Sequence, residues 1–182
     1  MEIGLRNVRP DEEALVFSFL TLAPRMPEAD EPIQKALSDP ALNRYWIGWG
    51  RTGDVGIVAE VQPTGMPIAC AWLRLYTHEE AGASFFGESV PELAMSVVPK
   101  YRGNWTGTTT LRRLIEDVRS QVPGIVLSVR RDNPAIRFYE RLSFKTIPES
   151  QMVSRVGTES VHMYLALGVE LALLSPPVEL RS

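Results

Sequence analysis

The segment Glu92–Glu116, ELAMSVVPKYRGNWTGTTTLRRLIE, constrains the fold more than any other part of the chain. Leu93–Val98 are apolar or small, as in a buried strand, and Leu111, Leu114, Ile115 and Val118 follow at helical spacing. Between them, Pro99-Lys100-Tyr101-Arg102-Gly103 turns the chain, and Gly107 with the threonines Thr108, Thr109 and Thr110 opens the helix. A strand that turns straight into a helix leaves the first helical amides without intrahelical partners, at the positive end of the helix dipole. With Arg102 beside them, such amides bind an anion, most simply a phosphate or pyrophosphate. Threonines are poor interior helix formers, so a run of them favours a helix start that serves a ligand.

A second segment, Asp132-Asn133-Pro134-Ala135-Ile136-Arg137-Phe138-Tyr139-Glu140-Arg141-Leu142-Ser143-Phe144, reads as a capped helix. Asn133 and Pro134 suit a helix entry, and Ala135, Phe138, Tyr139 and Leu142 recur at helical steps. Elsewhere, Ile3–Val8 reads as a first strand, and Arg9-Pro10-Asp11 starts a helix carrying Leu15, Val16, Phe19 and Leu20. A second helix is expected over residues 28–39, followed by the aromatic stretch Asn43–Gly50. Val55–Val61 and Ile68–Tyr76 form a hairpin across Gln62–Pro67. After a polar loop over His78–Pro91, further strands are expected at Ile125–Arg130, near Phe144–Ile147 and at Val161–Leu167. The alternation implies one domain over residues 1–168, with the tail 169–182 unassigned.

The 182 residues suffice for one domain with a sizeable core, and 45% hydrophobic with 23% charged residues suits a water-soluble one. A net charge of −3 gives no basic footprint for nucleic acid. No stretch approaches the roughly 20 apolar residues of a membrane span, and the first residues lack the pattern of a signal peptide, so the expected setting is cytoplasmic. The lone cysteine, Cys70, lies in an apolar strand-like run and reads as a buried thiol. His78 and His162 are too far apart in sequence to suggest a metal pair, and no metal is expected. A phosphate-binding loop of the nucleotide-hydrolase type is excluded, since no Gly-Lys-Ser/Thr ending is present.

Together the two segments resemble the GCN5-related N-acetyltransferase (GNAT) superfamily. The run Val97-Val98-Pro99-Lys100-Tyr101-Arg102-Gly103 matches V-x-P-x-Y-R-G, and Arg102 to Gly107 stand in the register of Arg/Gln-x-x-Gly-x-Gly/Ala. Trp105 occupies the place of the first glycine of that motif. Ala135–Phe144 match A-I-x-x-Y-E-x-x-G-F, with Ser143 in the place of the glycine. The resemblance covers nearly the whole chain. It implies an α+β (α/β/α sandwich) fold: a mixed, mostly antiparallel central sheet of about seven strands, splayed between the fourth and fifth and flanked by about four helices.

The resemblance also implies transfer of an acetyl group from acetyl-CoA to a primary amine of a small molecule or peptide, by direct attack in a ternary complex. Backbone groups of Met95, Ser96 and Val97, with Val98 adjacent, would bind the pantetheine arm. Arg102, Gly103, Asn104, Trp105, Thr106, Gly107 and Thr108 would cradle the pyrophosphate. Tyr139 takes the position of the tyrosine that protonates the departing thiolate in relatives. Glu92 is the choice of general base, with Glu88, His78 or a water as alternatives. The family's cofactor-side Asn falls on Asn133 or, in the other register, Asp132. The acceptor site falls within residues 24–39, 43–51, 76–91 and 148–159, and an edge strand near the C-terminus leaves room for a homodimer. The competing reading, favoured by Trp105 and Ser143, is a non-catalytic module that binds coenzyme A or acts as a scaffold.

Overall fold

A computed structural model describes residues 2–22, 38–82, 84–150, 152–153 and 159–168. The chain forms two compact units, Met1–Arg74 with Leu93–Asp117 and Leu75–Glu92 with Val118–Ser182.

The first unit contains β1 (Ile3–Asn7), α1 (Glu13–Leu20), α2 (Pro40–Asn43), β2 (Val55–Val61) and β3 (Met66–Arg74). It also holds most of β4 (Glu92–Val97), the 3-10 turn Pro99–Tyr101 and nearly all of α3 (Thr106–Val118). β1 pairs antiparallel with β2, and β2 with β3 across a bulge at Ala59/Glu60. β4 neighbours β3. Ile57–Ala59 and Ile68–Leu73 are buried residue after residue rather than alternately, which is what a strand covered on both faces requires. On one face Val16, Phe19 and Leu20 of α1 join Tyr45, Trp49, Val58, Cys70 and Trp72. A second cluster gathers Ala59, Ile68 and Ala69 with Ile3, Leu5, Val97 and Tyr101. The Cys70 thiol is fully buried, and that burial pushes its pKa far up, so it stays protonated.

Arg74, only 1% exposed, closes β3 and fixes the aromatic segment. Its guanidinium donates to Asp54 Oδ1 at 3.1 Å and to the carbonyls of Arg44 at 2.9 Å, Ile47 at 2.8 Å and Gly48 at 3.0 Å. The helix expected over 28–39 lies outside the described residues except for Ser38 and Asp39. Asp39 is not helical. Its carboxylate instead accepts from Ala41 N–H at 3.0 Å and caps the single turn α2, with Pro40 in the first helical position.

The second unit contains β5 (Gly124–Arg130), α4 (Ala135–Arg141), β6 (Lys145–Thr146), β7 (Met152–Val153) and β8 (Glu159–Ala166). β5 and β8 run antiparallel from Gly124↔Ala166 to Arg130↔Ser160. β6 and β7 also pair antiparallel with β8. Glu92, the first residue of β4, pairs in parallel with Val126 of β5, and Val126 N–H donates to the Pro91 carbonyl at 3.1 Å. Among the described residues the sheet path is β1-β2-β3-β4-β5-β8-β6, seven strands, with the two-residue β7 attached to β8. The short β7 was not expected from sequence, and the last strand begins at Glu159 rather than Val161.

Candidate active site

In the first unit, β4 leads through Val98 and the turn Pro99–Tyr101 into α3. Leu111, Leu114, Ile115 and Val118 of α3 are buried, as their spacing predicts. At the start of the helix, the carbonyl of Trp105 accepts the first intrahelical bond, from Thr109 N–H at 2.9 Å. The amides of Thr106, Gly107 and Thr108 precede that bond and therefore have no partner within the helix. No acidic residue lies in the first turn. Thr109 and Thr110 turn their hydroxyls back onto the carbonyls of Trp105 and Thr106, at 3.0 and 2.8 Å, which lets the helix tolerate them. Thr106 is only 2% exposed, yet its hydroxyl oxygen has no hydrogen-bond partner among the described residues. A buried hydroxyl left in this state costs free energy that a bound acceptor would recover.

Trp105 has φ +60°, and Gly103 just before it has φ +79°. The backbone at Trp105 thus keeps the left-handed conformation that a glycine adopts freely, at a cost of about 1–2 kcal/mol for an L side chain. The indole points away from packing and is 76% exposed. It does not fill the helix start. Arg102 is exposed, and its Nε donates to the Val97 carbonyl at 3.0 Å, which ties the turn back to the end of β4. Asn104 is exposed between the two.

The positions Met95, Ser96 and Val97 of β4 and Val98 just after it differ in which way their backbone groups are directed. Val98 N–H donates to the Ile68 carbonyl of β3 at 2.9 Å. Backbone groups alternate sides along a strand, so Val98 and Ser96 face β3, whereas Met95 and Val97 are directed away from it. The buried Ser96 hydroxyl donates to the Phe19 carbonyl of α1 at 2.6 Å and fixes β4 to that helix. Val97 already accepts the Arg102 bond on one carbonyl lone pair.

In the second unit, Asn133 Oδ1 accepts from Ala135 N–H at 2.9 Å and opens α4. Asp132 is instead paired with Arg130 at 2.7 Å on the surface, and that hydrogen-bonded partner holds its carboxyl below the ordinary value. Helix α4 ends in a Schellman motif. Phe144 N–H donates to the Tyr139 carbonyl at 3.1 Å and Ser143 N–H to the Glu140 carbonyl at 2.9 Å. Ser143 sits at φ +69°, in the left-handed position that glycine usually takes. The Tyr139 ring is partly buried between Phe138 and Phe144, with centroids 5.2 and 5.7 Å away. Tyr139 is therefore oriented by the end of its own helix.

Glu92, the first residue of β4, is buried at 3% exposure. Glu88 is exposed and accepts from His78 N–H at 3.0 Å, while the His78 ring stands edge-on to Phe85 at 4.9 Å. The second histidine, His162, is buried on β8 against Phe86. Among the described residues, no group of His, Cys, Asp and Glu side chains is arranged to hold a metal ion, and no helix is long and apolar enough to cross a membrane. The supports of the site escaped sequence reasoning. Phe19 and Ile68 act through backbone carbonyls, which carry no residue signature, and the place of Phe144 in a helix stop was legible only as the partner of a misplaced glycine.

The acetyltransferase (GNAT) family model matches residues 19–144, and the chain belongs to this family. Solved structures agree in fold. The ribosomal-protein-S18-alanine N-acetyltransferase of Escherichia coli is 16% identical, with 91% of this chain and 94% of that chain covered and a TM-score of 0.62. A proposed acetyltransferase, yncA of Salmonella typhimurium, solved with its cofactor acetyl-CoA, is 20% identical over 93% and 96% of the two chains, with a TM-score of 0.63. The spermidine/spermine N-acetyltransferase SpeG of Vibrio cholerae is 16% identical over 91% and 93%, with a TM-score of 0.57. No curated protein sequence matches the chain significantly. The mostly antiparallel sheet with a parallel β4–β5 pairing is thus the GNAT fold that the two sequence segments led one to expect.

Proposed function

We propose that the chain transfers an acetyl group from acetyl-CoA to a primary amine of a small molecule or peptide, in a ternary complex and without a metal. The observation that carries this reading is the opening of α3. There the amides of Thr106, Gly107 and Thr108 have no partner within the helix, and the Thr106 hydroxyl is buried without a partner among the described residues. Arg102 lies just upstream in the chain, and no acidic residue stands in the first turn. A diphosphate supplies the acceptors these groups lack. The outward backbone groups of Met95 and Val97 hold the amides of the pantetheine arm, with Ser96 and Val98 supporting them from the β3 side. The amine nitrogen attacks the thioester carbonyl, its C–S bond breaks, and the departing thiolate takes a proton from Tyr139. Glu92 accepts the ammonium proton, directly or through a water. Tyr139 and Glu92 take these roles by their positions in the family segments. Asn133 helps by setting the start of the Tyr139 helix. One domain spans residues 1–168, and its setting is the cytoplasm.

Thermal denaturation with acetyl-CoA tests the cofactor site. Ligand at about 100 times its Kd adds about 2.7 kcal/mol, which raises Tm by about 5–11 °C in a chain of this size. Gly107→Glu abolishes the shift by putting a carboxylate into the cradle. An unmoved Tm at millimolar acetyl-CoA, or an intact shift in the variant, refutes the cradle. Release of free thiol in the presence of a panel of amines then separates an enzyme from a module that only binds the coenzyme.

A further inference from the structure

We infer that Trp105 is the stacking platform for the adenine base of the coenzyme, an inference that rests on the cofactor reading above. Three large apolar side chains are exposed among the described residues, and Trp105, at 76%, exceeds Ile47 at 51% and Met66 at 41%. Among the described residues no aromatic ring stands against it, and its exposure leaves little packing to offset the left-handed backbone that presents it. Its neighbour Thr106 is the residue whose buried hydroxyl lacks an acceptor. The indole is therefore joined covalently to the place where a diphosphate is to sit.

Coenzyme A leaves such a diphosphate in two directions. The pantetheine arm follows β4. The adenosine leaves from the other phosphate, with one ribose between phosphate and base. On the solvent side of the helix start stand Arg102, Gly103, Asn104 and Trp105, all exposed. Of these, only Trp105 offers a flat π-face to a purine. Base-on-indole stacking is tolerant of the base's hydrogen-bonding pattern and depends on one exposed ring. A residue that departs from the motif thereby adds a contact instead of obstructing one.

The test measures the affinities of wild type, Trp105→Gly and Trp105→Phe for acetyl-CoA and for S-acetyl-4′-phosphopantetheine, which lacks the 3′-phospho-AMP half and keeps one phosphate of the diphosphate. The effect of the ring is read from the change in their ratio between variants. Glycine accepts the left-handed turn freely, so Trp105→Gly removes the ring and leaves the turn in place. The ratio of the two affinities is expected to fall by about 5- to 150-fold in Trp105→Gly and to be largely kept in Trp105→Phe. Acetyl-CoA, but not the truncated ligand, is expected to quench indole fluorescence, and the quench disappears in Trp105→Gly. An unchanged ratio in Trp105→Gly, with both ligands bound, overturns the stack while the cofactor site stands. An equal loss for both ligands also overturns it and makes Trp105 a shaper of the cradle. Wild type binding neither ligand removes the cofactor site and the stack with it.

Discussion

Replacing Ser143 by glycine should stabilise the protein, and the Schellman motif gives the size of the effect. Ser143 is exposed, holds φ +69°, and contributes its backbone N–H to the Glu140 carbonyl at 2.9 Å. A left-handed conformation costs a residue with a side chain about 1–2 kcal/mol. Glycine removes that cost but gives the unfolded chain more freedom, which takes back about 0.4–1 kcal/mol. The difference is a gain of about 0.5–1 kcal/mol, or a rise in Tm of about 1–4 °C for a chain of this length. Calorimetry or circular dichroism on wild type, Ser143→Gly and Ser143→Ala reads it, the alanine variant keeping the strain while losing the hydroxyl. Since the bonds that place Tyr139 use only backbone atoms at Ser143, acetyl-CoA binding should stay as in wild type. A Ser143→Gly protein no more stable than wild type, or an alanine variant that gains as much, would refute the account of this helix stop.

Arg74→Ala removes four hydrogen bonds and leaves the Asp54 carboxylate, 1% exposed, with the Gly50 N–H at 3.0 Å and, as its cation, the more distant Arg51 at 3.9 Å. Breaking such a buried pair costs about 3–5 kcal/mol, and urea titration showing a loss under 1 kcal/mol would count against Arg74 as the anchor of the aromatic segment. Glu12 is pulled two ways: burial raises its pKa, but hydrogen bonds from Arg6 and the Arg9 amide together outweigh it, so the folded pKa lies below 4.5. The stability it contributes is complete above pH 4.5 and is lost as pH falls through the depressed value. The stability gap between wild type and Glu12→Gln should accordingly shrink from pH 7 to pH 3, and a constant gap sinks this assignment. Tyr139→Phe should slow turnover by about 10²-fold or more while leaving acetyl-CoA affinity within a factor of about two, because the Phe138 and Phe144 ring contacts need no hydroxyl. Equal turnover would take Tyr139 out of the acid role.

How far these features were legible depends on which atoms carry them. The apolar spacing of Leu111, Leu114, Ile115 and Val118 predicted a buried helix face because side chains decide it. The β2–β3 hairpin was legible for the same reason. Contacts made by backbone carbonyls left no trace in the sequence: Ser96 on Phe19, Val98 on Ile68, and Arg74 across Arg44, Ile47 and Gly48. Arg74, inside the strand expected over Ile68–Tyr76, carries no signal of its own in the sequence and is almost wholly buried. Asp39 looked like the last residue of one helix and proved to cap the next, since an aspartate before a proline serves the start of a helix better than its end.

The two departures from the family pattern show most clearly what such a motif specifies. Trp105 and Ser143 both replace glycine, and both hold the positive φ that makes glycine the usual choice. What the sequence segments encode is therefore a backbone path: an αL residue that swings the chain into α3 with its first amides free, and another that stops α4 behind Tyr139. Residue identity at those points is a matter of a kilocalorie or two of strain. A mismatch in letters that preserves the dihedral angle leaves the turn standing, and the side chain it adds is free to take on a contact of its own. Ser143, short and solvated, adds none; Trp105 projects a ring beside the proposed phosphate cradle, and that difference is why the two substitutions by glycine should act differently on acetyl-CoA affinity.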